Sequence, residues 1–170
     1  MNEMQILIDL HKRNSRQGPG SDGHTRRAIE LSGMTGRTGL RIADIGCGAG
    51  ASALVLAEHL DAHITAVDLF PEFLSELTRR AEQRGVSQRI QTLSASMEIY
   101  NMGFESGVAA WRTFLEPGGV LAVSEITWLT AERPAELQAH WDHEYPQVDV
   151  ASAKLAVLEK HGFTPIGYFP

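Results

Sequence analysis

Residues 41–58, RIADIGCGAGASALVLAE, narrow the possible folds more than any other stretch of the chain. Arg41, Ile42, Ala43, Asp44 and Ile45 set β-branched residues beside small ones, as a buried parallel strand does. Gly46, Gly48 and Gly50 follow at alternate positions. A backbone that turns sharply and lets a ligand come close needs residues without a Cβ. From Ser52 to Glu58 the residues favour helix, with Leu54, Val55 and Leu56 apolar. A strand that enters a helix through such a turn leaves N–H groups open at the helix start, above the strand ends. That arrangement is a small-molecule site in an open α/β sheet.

The chain has 170 residues, enough for one domain with a substantial core. A formal charge of −6 argues against a broad electrostatic grip on nucleic acid, so no nucleic-acid partner is expected. The single cysteine, Cys47, excludes an internal disulfide and fits a reducing, cytoplasmic setting. No apolar run approaches the roughly 18 to 20 residues that span a bilayer. Glu3 and Asp9 interrupt the short apolar stretch at the start, so it does not read as a signal peptide, and no membrane partner is expected. Oligomeric state is not written in the sequence; a homodimer is compatible with it.

In chain order, Met4, Leu7, Ile8 and His11 share a helical face and predict a short packing helix over residues 4–12. Arg16-Gln17-Gly18-Pro19-Gly20-Ser21 breaks regular structure, as a connector or as a lid. Ser21 or Asp22 caps a helix predicted over 25–32. A second strand is predicted at 63–68. The helix after it, at 71–84, opens with Pro71, ends at Gly85, and has Phe73, Leu74, Leu77 and Ala81 at helical spacing. A short third strand follows at 90–93. Beyond it come a helix at 107–115, a Pro117-Gly118-Gly119 turn, and a buried strand at 120–126, VLAVSEI. A polar helix or lid at 132–144, ended by Pro146, a helix at 151–161 with Gly162 as its cap, and a strand at 164–169 complete the chain. Strand and helix alternate, which predicts a mainly parallel sheet with helices on both faces. A doubly wound sheet also needs a strand on the far side of the first one. No residues remain to make it between the third strand and the 107–115 helix.

The turn at residues 44–50 has two readings. With Ala51 it satisfies the loose dinucleotide pattern G-x-G-x-x-G/A, and with Asp44 it satisfies D-x-G-x-G-x-G. A carboxylate at its mouth would repel a pyrophosphate. S-adenosylmethionine has no phosphate, and its α-ammonium and sulfonium favour an acid there. Asp68 ends the second strand, where a carboxylate can accept hydrogen bonds from both ribose hydroxyls or cap the helix at Pro71.

ADIGCGAG, AVDLFPEFL and FLEPGGVLAVSE together resemble the class I S-adenosylmethionine-dependent methyltransferases. Within them the chain is most similar to the small-molecule branch of the ubiquinone/menaquinone-biosynthesis type, from about residue 40 to 126 and more loosely to the end. The resemblance implies an α/β, Rossmann-like three-layer sandwich whose mainly parallel seven-stranded sheet has the order 3-2-1-4-5-7-6. It implies one domain over 1–170: an N-terminal helical cover at 1–32, a cofactor-binding core at 40–126, and a substrate-side lid at 127–150. It implies S-adenosylmethionine as cofactor, with Asp44, Gly46 and Gly48 lining its methionine end and Cys47 and Gly50 also in the cofactor-binding turn. Asp68 takes the ribose, and Leu69 packs on the adenine. Ser96 and Met97 fall beside the adenine, Ser96 in place of the family's acid. The RQGPGS loop, with Gly18 and Ser21, is similar to the cofactor cover of a set of bacterial members. In two places the chain departs from the pattern. It passes from Glu98 to Ile99 without the family's fourth strand, and it stops at Pro170 before the usual last strand. Gln147-Val148-Asp149-Val150 reads as a smaller junction of the same kind.

Methyl transfer from a sulfonium asks the protein mainly to align the acceptor and exclude water. A general base helps when the acceptor arrives protonated. Tyr100 and His140 are the expected polar contacts to a small-molecule acceptor, with Asn101, Glu125, His143 and Tyr145 near the expected mouth. His140 and His143 lie at i and i+3, but no H-E-x-x-H pattern or cysteine partner accompanies them, so no metal is expected. Trp128 and Trp141 line an apolar pocket or pack in the core. His63 and His161 read as structural. Two other readings stay open: an NAD-type oxidoreductase, against which Asp44 and the lack of a Tyr-x-x-x-Lys pair count, and a non-catalytic S-adenosylmethionine-binding protein.

Overall fold

A computed structural model describes residues 3–12, 14–95 and 102–170. They divide into two compact units, residues 1–98 and 99–170.

The first unit is built on three parallel strands, β1 (Leu40–Ile45), β2 (Ala62–Asp68) and β3 (Ile90–Ser94), in the order β1-β2-β3. Leu40 pairs with Ala62 and Ile45 with Val67; Ile64 pairs with Ile90 and Asp68 with Ser94. This is the predicted 3-2-1 half of the sheet, and among the described residues no further strand joins it. Helix α3 (Ala51–His59) connects β1 to β2, and α4 (Pro71–Gln83) connects β2 to β3. Parallel neighbours require such crossovers. Ala53, Leu54, Val55 and Ala57 of α3 form one core with Ile64 and Ala66 of β2 and with Leu74, Leu77 and Ala81 of α4. Pro71 stands in the first turn of α4 as predicted, since its missing N–H has no helical partner there anyway.

Two helices precede the sheet, α1 (Glu3–His11) and α2 (Asp22–Ser32). Helix α2 starts earlier than the predicted 25–32. Ser21 is its N-cap and accepts from the His24 N–H at 3.2 Å, so Asp22 and Gly23 are already inside the first turn. Gly33 closes it in the left-handed conformation.

The second unit contains α5 (Phe104–Arg112), β4 (Thr127–Trp128), α6 (Ala135–Glu144), β5 (Asp149–Val150) and α7 (Ala151–Lys160). Its core joins Phe104, Val108, Tyr145 and Val148, with Trp111, Trp128 and Trp141 packed against them. Both tryptophans singled out from the sequence are therefore core residues of this unit.

Several predicted elements differ here. Helix α5 begins at Phe104, not at 107, because Gly103 is its N-cap and the Phe104 N–H donates to Gln147 Oε1 at 2.6 Å. Helix α6 begins at Ala135, not at 132. Pro134 precedes it, and a proline disfavours helical backbone in the residue before it. The predicted strands at 120–126 and 164–169 carry no strand ladder; the pairing observed is β4 with β5, in parallel, Thr127 to Asp149 and Trp128 to Val150. Residues 147–150, predicted as a junction, lead into that paired strand. Residues 120–126 keep a near-alternation of half-buried and exposed positions, with Ala122 and Ser124 exposed between Leu121, Val123 and Glu125. The two-residue period reads the alternating burial correctly, but it does not supply a neighbour to pair with. The junction at Glu98 and Ile99 lies outside the described residues.

Candidate functional site

The end of β1 and the start of α3 are held together by backbone geometry. Gly46, Gly48 and Gly50 have φ of +73°, +53° and +84°, in the left-handed region that side chains resist. Two of them also stand in close contact with a side chain, Gly50 against the fully buried Leu77 and Gly48 against the end of Gln17. A Cβ on Gly50 would lie 2.0 Å from Leu77 Cδ1, and one on Gly48 would lie 2.6 Å from Gln17 Oε1. The N–H groups of Gly46 and Cys47 both donate to Val67 O, at 2.8 and 3.0 Å, which fixes the turn to the end of β2. Cys47 is buried and Gly46 is exposed at the mouth.

Asp68 is the hub of this arrangement. Its carboxylate accepts from the Gly48 N–H at 2.8 Å and from the Phe70 N–H at 3.0 Å. One side chain therefore ties the glycine turn to the entry of α4, and it is only 7% exposed. The helix cap weighed from the sequence is not formed: Phe70 is the N-cap of α4, which has no side-chain cap bond, and Asp68 holds the N–H of Phe70 itself. Leu69, beside it, is 43% exposed, an apolar side chain left uncovered at the strand ends.

Asp44, next to last in β1, is a part-buried residue whose Oδ2 atom is buried and has no hydrogen-bond partner. Burial pushes its carboxyl up to about 6. The Ala53 N–H and the Arg16 charge pull it down, and the Asp68 charge adds to the rise. A buried acceptor without a donor is costly, and a site that keeps one is prepared for a ligand that donates.

Two residues absent from the sequence-based site lie against the turn. Gln17 Oε1 accepts from the Ala49 N–H at 2.7 Å, and the Gln17 amide donates to the carbonyls of His11 and Asn14. Arg16 donates to Ser52 Oγ at 3.2 Å and to Asp22 and Thr25 at 3.4 Å. Through Arg16 and Gln17 the loop at 16–21 touches the glycine turn and the first turn of α3. Its two other predicted members stand apart. Ser21 caps α2, and Gly18 is exposed with open space where a Cβ would stand.

Of the remaining predicted residues, Ser96, Met97 and Tyr100 lie outside the described residues. His140 belongs to the second unit. It is exposed on α6 with its ring edge-on to Trp141, centroids 5.2 Å apart. His143 is exposed on the same helix. Glu125 and Tyr145 come together inside the second unit. Lys154 Nζ lies 2.7 Å from Glu125 Oε1, the Tyr145 hydroxyl donates to the same oxygen at 3.1 Å, and Glu125 Oε2 is buried without a partner. Lys154 was not singled out in the sequence. Its only signal there is a lone charge inside the apolar run ASAKLAVL.

The parallel strands, glycine turn and strand-end acid define a nucleoside-binding domain of the Rossmann-like α/β type. A family model described as a methyltransferase domain matches residues 42–119. The chain is 31% identical over 173 residues to a ubiquinone biosynthesis O-methyltransferase of Xylella fastidiosa, covering 85% of this chain and 70% of that protein. It superimposes with a TM-score of 0.72 on an S-adenosylmethionine-dependent methyltransferase of Thiobacillus denitrificans solved with S-adenosylhomocysteine, at 18% identity, covering 95% of this chain and 71% of that one. The [4+2]-cyclase SpnF also shares the fold, with a TM-score of 0.66 and 21% identity over 88% of this chain and 61% of its own. The chain belongs to the class I S-adenosylmethionine-dependent methyltransferases. That membership disfavours the NAD-type oxidoreductase and the non-catalytic alternative. Among the described residues no helix is long and apolar enough to cross a membrane.

Proposed function

We propose that the chain transfers the methyl group of S-adenosylmethionine to a small-molecule acceptor, with the cofactor seated on the glycine turn after β1. The observation that carries this reading is the partnerless, buried Oδ2 of Asp44. The amino-acid end of the cofactor is a zwitterion. Asp44 suits its ammonium, and the Arg16 guanidinium, close enough to lower the Asp44 pKa, suits its carboxylate. Gly46, Cys47, Gly48 and Gly50 present backbone and no bulk, Asp68 takes the ribose hydroxyls, and exposed Leu69 packs on the base. Gly18 and Ser21 belong to the cover, and Ser96 and Met97 complete the base side. When bound, the cofactor supplies a methyl group on a positively charged sulfur, which departs neutral. The work of the protein is to hold the acceptor in line and keep water out.

The O-methyltransferase name of the curated relatives supports a hydroxyl acceptor. Tyr100 and His140 are the polar residues assigned to contact it. We read residues 1–170 as one methyltransferase domain acting in the cytoplasm on a free small molecule, without a nucleic-acid or membrane partner, and compatible with a homodimer. Calorimetric titration with S-adenosylmethionine, S-adenosylhomocysteine and NAD tests the site. Binding of the first two and not the third is expected, and Asp68→Ala should weaken it by about 1–3 kcal/mol through lost charge-assisted bonds. Binding of NAD instead would overturn the assignment, and unchanged affinity in Asp68→Ala would remove that residue from the site. Methyl release over a panel of phenols, quinones and amines then tests catalysis.

A further inference from the structure

The cover over the glycine turn is fastened at two ends. At one end Gln17 holds the Ala49 N–H. At the other, Arg80 reaches out of α4. Its Nη1 donates to Ser15 O at 3.1 Å, and its Nη2 to Asn14 O at 2.8 Å and Lys12 O at 3.3 Å. These carbonyls follow the end of α1, where a helix leaves backbone acceptors without intrahelical partners. A planar guanidinium with five donors can serve three of them at once; an ammonium cannot hold that fork. Glu76, one turn earlier on α4, aims the guanidinium by accepting from Arg80 Nε at 2.6 Å. Glu76 also accepts from Nε and Nη2 of Arg79, at 2.8 and 2.6 Å, so it is held whether or not Arg80 is present. The Arg80 side chain is 14% exposed, against 54% for Arg79 and 43% for Arg84 on the same helix. It is spent on the backbone of the cover and not on a surface ion pair alone.

We propose that Arg80 is a positioning residue for the cofactor: it fastens the backbone at Lys12, Asn14 and Ser15 so that Arg16 and Gln17 stay closed over the glycine turn. This rests on the proposed cofactor site and names what holds its cover shut. The site then has a dissociation rate set partly from α4, by a residue that does not touch the ligand. Loss of Arg80 frees the cover and speeds cofactor escape, while the strands beneath keep their structure.

The test compares wild type, Arg80→Ala, Arg80→Lys and the same-helix control Arg84→Ala, which loses only a contact to Glu58. Binding and dissociation of S-adenosylhomocysteine are measured, with amide hydrogen exchange read at residues 14–17 and in β1 to β3. Arg80→Ala should weaken binding about tenfold or more, chiefly through faster dissociation, which corresponds to about 1.4 kcal/mol. Exchange at 14–17 should rise while β1 to β3 stay protected. Arg80→Lys should recover little of the affinity, and Arg84→Ala should match wild type. Wild-type binding with unchanged affinity in Arg80→Ala overturns the proposal alone. Lost affinity together with lost protection in β1 to β3 also overturns it, since Arg80 would then be a fold residue. Absence of binding by wild type overturns the reading of the site and this proposal with it.

Discussion

The two units are stabilised by different means. In residues 1–98 the demanding groups are backbone groups: left-handed glycines, N–H groups at a helix start, and carbonyls past a helix end. Three of these needs are met by a side chain that reaches from another element: Asp68 to Gly48, Gln17 to Ala49, Arg80 to the carbonyls after α1. In residues 99–170 the ladder is two residues long on each strand, and the demanding group is a charge. Lys154 is 7% exposed, ion-paired to Glu125, bonded to the carbonyl of Gln147, and 4.5 Å from the centre of the Phe104 ring. The first unit therefore depends on conformations few residues tolerate, the second on charge compensation in an apolar setting. Substitutions should expose the difference.

The largest effect is expected in the second unit. Lys154→Ala leaves the Glu125 carboxylate buried and uncompensated, which should cost about 3–5 kcal/mol, whereas the double variant Lys154→Met, Glu125→Leu should be close to neutral. The chain's three tryptophans, Trp111, Trp128 and Trp141, all lie in this unit, so intrinsic fluorescence during urea unfolding reports on it alone. A loss below about 1 kcal/mol in the single variant, the range of a solvated surface pair, would break the contrast.

Next comes Asp44, a first-unit carboxyl whose pKa burial raises. Its carboxyl is raised from 3.8 to about 6. Folding therefore favours the neutral form. Stability is greatest below the unfolded value near 3.8, falls as pH rises through about 6, and carries the full penalty above that. Asp44→Asn removes the penalty. It should be more stable than wild type by about 1–3 kcal/mol at pH 7, with the difference shrinking toward pH 4, in urea unfolding followed by circular dichroism. The same variant should bind S-adenosylmethionine more weakly, and wild-type affinity should fall below pH 6 as the carboxylate protonates. A variant without the pH-dependent gain would show that Asp44 is hydrated.

The contrast also explains what the sequence could disclose. The β1–turn–α3 unit was legible because its signals are local: β-branched residues, alternate glycines, and Pro71 after Asp68. The cover was only half legible. Arg16 and Gln17, beside the loop glycines, suggest a lid, but they meet the turn and α3 across 36 and 32 residues, a separation no local pattern reports, so only Gly18 and Ser21 entered the expected site. In the second unit the misread strand at 120–126 has the composition and alternation of a strand and lacks only a partner. Pairing is a property of two segments, and among the described residues no strand pairs with this one. The Lys154–Glu125 pair spans 29 residues, and each member alone looks like an ordinary charge.

The smallest effect sharpens the first unit's side of the contrast. Ser21 satisfies one N–H of α2, at His24, and is also assigned to the cofactor cover. Ser21→Ala should cost about 1 kcal/mol, the usual value of a lost N-cap, and Ser21→Asn should restore it because asparagine caps as well as serine. The two roles separate in S-adenosylhomocysteine affinity. If Ser21 acts only through the helix, Ser21→Asn binds like wild type and the residue belongs with Asp68 and Gln17 as one more side chain answering a backbone group. If Ser21→Asn is stable but binds several-fold more weakly, the hydroxyl itself meets the ligand, because the cap has been restored and only the smaller, rotatable group has been lost.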